Sequence, residues 1–220
     1  MSLQIIEAQT GEDPVATILI MHGLGADGRD FVPIAEQLDL SSIGPVRFLF
    51  PSAPHLPVTI NGGYSMPAWY DIMGVDLVSR QDEPGMRQSQ AAMEAILANE
   101  KSRGMPANCI VVAGFSQGCA MALMAGLRHG ERLAGIAGLS GYLPLAEKTA
   151  AEGSAANKDV PIFLAHGTRD GVVALPRAEA SRDVLTGLGY PVEWHAYPME
   201  HSVCPQEVAD LEKWLLRVLA

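Results

Sequence analysis

The feature that most constrains the fold is a regular exchange, along nearly the whole chain, of short apolar runs with segments of helical period. Residues 15–20 are almost all apolar and the run ends at His22-Gly23-Leu24-Gly25, as a buried strand entering a tight loop would. The period then changes: Phe31, Ile34, Ala35 and Leu38 fall at i, i+3, i+4 and i+7, giving a short helix one apolar face. The same exchange predicts strands over 47–50, 109–113, 133–139, 161–165 and 192–197. It predicts helices over 86–103, 117–129, 175–188 and 206–219, the last with Val208, Leu211, Leu215 and Val218 on one face. Strands and helices in strict alternation imply an α/β domain, with a mostly parallel sheet covered by helices on both faces. The 220 residues are expected to form one such domain, 1–220.

The alternation stops between residues 51 and 71. Prolines 51, 54, 57 and 67 and the pair Gly62-Gly63 argue against regular structure over that stretch. A loop this long inside a compact domain is usually functional, and Leu56, Val58, Ile60, Tyr64, Met66, Trp69 and Tyr70 are too apolar for a disordered segment. The alanine-rich stretch 146–156 reads as a surface loop or loose helix.

Composition narrows the partners. With 25 acidic and 15 basic residues the net charge is −10, which repels phosphate backbones, so nucleic acid is not expected as a partner. No window approaches the roughly 18 uninterrupted apolar residues of a membrane span, and Met1-Ser2-Leu3-Gln4 is not a basic stretch leading into an apolar one; integral membrane association is not expected and a cytoplasmic location is. Cys109, Cys119 and Cys204 are odd in number, widely spaced and mostly in apolar surroundings, as buried thiols rather than a disulfide framework.

The chemistry begins at Gly114-Phe115-Ser116-Gln117-Gly118, a G-x-S-x-G lying directly between a predicted strand and a predicted helix. A serine on so sharp a turn projects its hydroxyl from the sheet edge, and the flanking glycines remove Cβ atoms that would clash there. A serine hydroxyl is a poor nucleophile unless a base lies within hydrogen-bond reach, itself oriented by a third group. Asp170, in His166-Gly167-Thr168-Arg169-Asp170, follows one predicted strand and His201, in Met199-Glu200-His201-Ser202, follows the next. Ser116, Asp170 and His201 are therefore the predicted nucleophile, acid and base, in the chain order of α/β hydrolases. Glu200 is the competing acid, and its adjacency to His201 makes the required geometry awkward.

Acyl transfer also needs donors for the tetrahedral oxyanion. The backbone N–H of Gln117 is the first candidate, and that of Leu24, in the glycine-rich loop after an earlier strand, is the second. His22 is expected to hydrogen-bond that loop and His166 to order the acid turn. The remaining histidines form no ligand cluster, so neither a metal nor another cofactor is expected.

Taken together, HGLGADGRDF (22–31), PVTINGG (57–63), MPAWYDI (66–72), AGFSQG (113–118), HGTRD (166–170) and YPMEHSV (197–203) make the chain resemble the acyl-protein thioesterase and bacterial carboxylesterase family, also grouped as phospholipase/carboxylesterases. The resemblance implies an α/β-hydrolase fold with the same triad and oxyanion donors. It implies hydrolysis of short- to medium-chain acyl esters, or alternatively of lysophospholipids or thioester-linked acyl groups on proteins. It further implies an acyl channel bordered by Leu56, Val58, Ile60, Met66 and Trp69, and homodimers of the kind formed by bacterial relatives. Cys119 departs from the family pattern, which most often has a glycine after Ser-Gln-Gly; the larger side chain is expected to require a packing adjustment behind the nucleophile.

Overall fold

The computed structural model describes residues 3–74 and 80–220; Met1 and Ser2 of the amino-terminal stretch lie outside them. Nine strands and six α-helices are found among the described residues. The strands are β1 (Gln4–Gln9), β2 (Ala16–Met21), β3 (Val46–Ser52), β4 (His55–Val58), β5 (Tyr64–Pro67), β6 (Ile110–Phe115), β7 (Gly135–Leu139), β8 (Ile162–Gly167) and β9 (Val192–Tyr197). The helices are α1 (Val32–Ala35), α2 (Glu83–Ser102), α3 (Gln117–Arg128), α4 (Thr149–Glu152), α5 (Leu175–Gly187) and α6 (Pro205–Val218).

Seven strands form one sheet in the order β1-β3-β2-β6-β7-β8-β9. All neighbours are parallel except β1, which runs antiparallel to β3. Buried parallel strands are apolar on both faces, and the period of two sorts their side chains between two cores. Leu19, Met21, Ile110, Val112, Ile162 and Leu164 pack with α2, α3 and Leu185 of α5 on one face. Ile18, Ile20, Val111, Ala113, Phe163 and Ala165 pack on the other with Phe31, Ala35 and the α6 residues Val208, Leu211, Trp214 and Leu215. The α/β architecture with helices on both faces is thus as the sequence predicts. From β2 the chain turns back to β3 on one side, and from β6 it proceeds to β7 on the other. The order reverses between these two neighbours, and the loops leaving their carboxyl ends diverge to leave a crevice where ligands bind in open α/β sheets.

Two elements correct the sequence reading. Strand β1 (QIIEAQ) is exposed at nearly every position, so it has no apolar pattern to read; its backbone pairs with β3, and Glu7 bridges to Arg103 and Arg47. The stretch 51–71, expected to lack regular structure, instead completes β3 and forms the antiparallel hairpin β4–β5. Prolines are tolerable there because a two-stranded ribbon leaves half of its amides outside the ladder. Gly62 and Gly63 take φ of 66° and 80° at the turn, a left-handed conformation that side chains resist. The Asp71 carboxylate ties down the turn of the hairpin by accepting from the Thr59 backbone N–H and hydroxyl. The 146–156 stretch is a loose helical region, with 3₁₀ turns on either side of α4. Among the described residues no helix is long and apolar enough to cross a membrane.

Candidate active site

Ser116 sits on the turn from β6 into α3 with φ 55° and ψ −117°, a conformation costly for any residue with a Cβ and typical of strain held at functional sites. The surroundings force it. A Cβ on Gly114 would lie 2.2 Å from the Gly118 carbonyl oxygen, and one on Gly118 would lie 2.1 Å from that of Met21. Both motif glycines are thus required by close backbone approach. The Ser116 amide is fixed by the Leu139 carbonyl, and the hydroxyl points to the rim of the sheet.

His201 and Asp170 arrive at the same rim from loops after β9 and β8. The Ser116 hydroxyl lies 2.9 Å from His201 Nε2, and His201 Nδ1 lies 2.7 Å from Asp170 Oδ2. An ionised carboxylate only accepts, so Nδ1 carries the imidazole proton and Nε2 is free to accept from the serine hydroxyl. Asp170 Oδ1 accepts the backbone N–H groups of Val172 and Val173, each at 2.8 Å. The carboxyl therefore caps its own turn with one oxygen and orients the imidazole with the other. The Phe115 ring packs on that of His201 with centroids 4.8 Å apart. Glu200 is exposed and takes no part in this chain of bonds.

The two expected oxyanion donors also reach the rim. A Cβ on Gly23 would lie 3.2 Å from the Ser116 Cβ, so the His22–Gly25 loop runs directly past the nucleophile. Among the described residues neither the Leu24 nor the Gln117 backbone N–H has a hydrogen-bond partner. Gln117 opens α3, where the free amides and dipole of a helix start favour developing negative charge. His22 is structural, as expected. Its Nδ1–H donates to the Gly23 carbonyl at 2.6 Å and its Nε2 accepts the Ala53 N–H at 3.0 Å, and burial lowers its pKa so that it stays neutral. His166 is likewise lowered by burial and donates from Nε2 to the Val173 carbonyl at 2.8 Å, ordering the acid turn.

A family pattern runs along nearly the whole chain: the phospholipase/carboxylesterase family model covers residues 3–219. The chain belongs to that family. Its α/β-hydrolase fold and serine-hydrolase class follow from that membership and from the solved structures it resembles. Acyl-protein thioesterase 1 of Yarrowia lipolytica is 40% identical over 205 residues, spanning 91% of this chain and 90% of that protein. The crystal structure of Arabidopsis thaliana SOBER1 superposes with a TM-score of 0.88 at 32% identity, over 93% of this chain and 99% of that one. Zea mays acyl-protein thioesterase 2 does so with a TM-score of 0.87 at 29% identity, over 99% of each chain.

The family resemblance places five loop residues on an acyl channel, and the structure separates them. Val58 and Trp69 are 0% and 1% exposed, anchoring the loop rather than offering a free wall. Leu56, half-buried, shares with Trp69 a cleft of about 250 Å³ between the hairpin and α2, lined also by Leu3, Pro54 and Ala92 and by no triad residue. Ile60 is exposed near the hairpin turn. Met66 lies beside the His22–Gly25 loop, its sulfur 3.8 Å from where a Cβ on Gly25 would stand, and the Gly25 N–H donates to the neighbouring Pro67 carbonyl.

The departure at Cys119 is compensated locally. Cβ atoms on Gly138 and Gly141 would lie 2.7 Å and 2.6 Å from its sulfur, so two absent side chains make room for it. Burial pushes this thiol up to about 12, which keeps it protonated and unreactive. Cys109 and Cys204 are free and half-buried, less enclosed than expected.

One role of a predicted site residue escaped the sequence reading. The Gln117 side chain is buried; its Oε1 accepts the Trp69 backbone N–H at 2.8 Å and its Nε2 donates to the Tyr70 carbonyl at 2.7 Å. The only advance signal was a polar residue inside an otherwise apolar helix start.

Proposed function

We propose that this family member hydrolyses acyl thioesters and esters through an acyl-enzyme on Ser116. The observation that carries the reading is the continuous bond chain from the Ser116 hydroxyl through His201 to Asp170, beside the Leu24 and Gln117 amides, which have no partner among the described residues. His201 takes the serine proton as the hydroxyl attacks the acyl carbonyl, and Asp170 stabilises the imidazolium that forms. The Leu24 and Gln117 amides receive the oxyanion, each such donor contributing about 3 kcal/mol to the transition state. His201 then returns the proton to the leaving thiol or alcohol, and a water activated by the same imidazole releases the acid.

Relatives named acyl-protein thioesterase 1 favour a thioester-linked acyl group on a protein over a small oxygen ester as the natural substrate. Met66, beside Gly25, is the member of the loop set best placed to meet the acyl chain. The test combines two measurements. A fluorophosphonate should label wild-type protein at Ser116 and leave Ser116→Ala unlabelled, with kcat falling by roughly 10⁵-fold or more in a protein that still folds. Across matched acyl-thioesters and p-nitrophenyl esters of increasing length, kcat/KM should be higher for the thioesters. Labelling elsewhere, or undiminished turnover by Ser116→Ala, would overturn the mechanism; a uniform preference for oxygen esters would overturn the substrate class alone.

A further inference from the structure

We infer that Trp69 is a positioning residue that clamps the two oxyanion-donor segments, one leaving β2 and one leaving β6, at a fixed separation. The inference rests on the proposed acyl transfer and extends it to a residue outside the triad.

The two segments need such a tie. The last sheet pair between β2 and β6 is Met21 with Gly114, and beyond it the chains diverge at the point where strand order reverses. Among the described residues no hydrogen bond joins 22–25 directly to 115–118. Trp69 bonds to both. Its indole N–H donates to the His22 carbonyl at 2.8 Å, and its backbone N–H donates to Gln117 Oε1 at 2.8 Å. The first bond holds the segment that carries the Leu24 amide; the second holds the residue whose own amide is the other donor. The Trp69 and His22 rings also pack with centroids 5.1 Å apart.

Trp69 is itself fixed. It is 1% exposed, the Ser89 hydroxyl donates to its carbonyl, and Gln117 Nε2 holds the next carbonyl, that of Tyr70. His22, on the far side, is anchored in turn by Ala53 and Gly23. Oxyanion donors act because they are already in place when charge develops, so a tie that prevents them drifting apart acts on the transition state rather than on substrate affinity. A wall of the acyl site would behave in the opposite way.

Two variants remove the indole donor: Trp69→Phe, and replacement of Trp69 by 3-benzothienylalanine, which keeps the ring shape but has no N–H. The second carries the test if the first does not fold. Steady-state kinetics on one acyl ester should show kcat lowered about 10- to 100-fold with KM changed little, the scale expected when reacting groups are slightly misplaced. The carbonyl band of the acyl-enzyme, read by isotope-edited infrared spectroscopy, should shift to higher frequency as hydrogen bonding to that oxygen weakens. A lowered Tm with kcat and the carbonyl band unmoved would overturn the clamp and leave Trp69 a packing residue. A raised KM at constant kcat would overturn it in favour of substrate contact. Wild-type protein that forms no acyl-enzyme overturns the catalytic reading and the clamp together, whereas normal wild-type acylation with an unmoved band in the variants overturns the clamp alone.

Discussion

Asp170 and Glu207 are two buried carboxyl groups in the loops and helix start that bracket His201, and their surroundings treat them in opposite ways. The Asp170 side chain, 0% exposed, accepts from His201, Val172 and Val173, with His166 3.4 Å away. Glu207, in the first turn of α6 and also 0% exposed, has no hydrogen-bond partner on either oxygen among the described residues. Burial pushes the Glu207 carboxyl up to about 8. Enclosure without donors thus favours the neutral acid at Glu207, whereas the Asp170 carboxyl has three donors aimed at it.

The largest effect that would sharpen this contrast is on Asp170. Asp170→Asn keeps the shape but presents an amide that can hold the wrong imidazole tautomer, and kcat should drop by about 10⁴-fold. A drop of less than about tenfold in steady-state kinetics would show that the donors around Asp170 serve only the turn.

Glu207 should affect stability instead, with a definite sign. Its folded-state pKa is raised from the ordinary 4.5 to about 8, so the folded protein binds the proton more tightly than the unfolded chain. The wild type therefore suffers no penalty below pH 4.5, loses stability as pH rises from there to about 8, and carries the full penalty above that range. Glu207→Gln, which cannot ionise, should have the higher Tm at about pH 9 and approach the wild type near pH 4, as calorimetry across pH would show. A difference independent of pH would mean that Glu207 acts through packing alone.

The smallest effect belongs to Glu200, the acid adjacent to His201 in sequence. Exposed and outside the bond chain, it should tolerate Glu200→Gln with kcat/KM within about threefold of wild type, the range of surface changes away from a reacting centre. A loss approaching that of Asp170→Asn would exchange the roles of the two acids.

What could be read along the chain was whatever is local. The apolar runs and helical periods reported the sheet and the helices because burial selects side chains one by one. Ser116, Asp170 and His201 were legible because each stands at a strand end, where a parallel sheet places loop residues on one rim. Strand β1 was not legible, since an exposed edge strand is held by backbone pairing and ion pairs rather than by an apolar face. The β4–β5 hairpin was hidden by prolines that only the far side of a two-stranded ribbon accommodates.

The sequence by itself therefore determined the layered α/β architecture and singled out the three side chains proposed to react, because both are encoded in residue type and spacing. Only the tertiary structure decided that Trp69, read as a channel residue, is buried and bonded both to His22 and to Gln117, and that Glu207 lies in the interior without a hydrogen-bond partner among the described residues. Those outcomes depend on which distant backbone groups meet a given side chain, and hydrogen-bond satisfaction across the fold leaves no trace in local pattern.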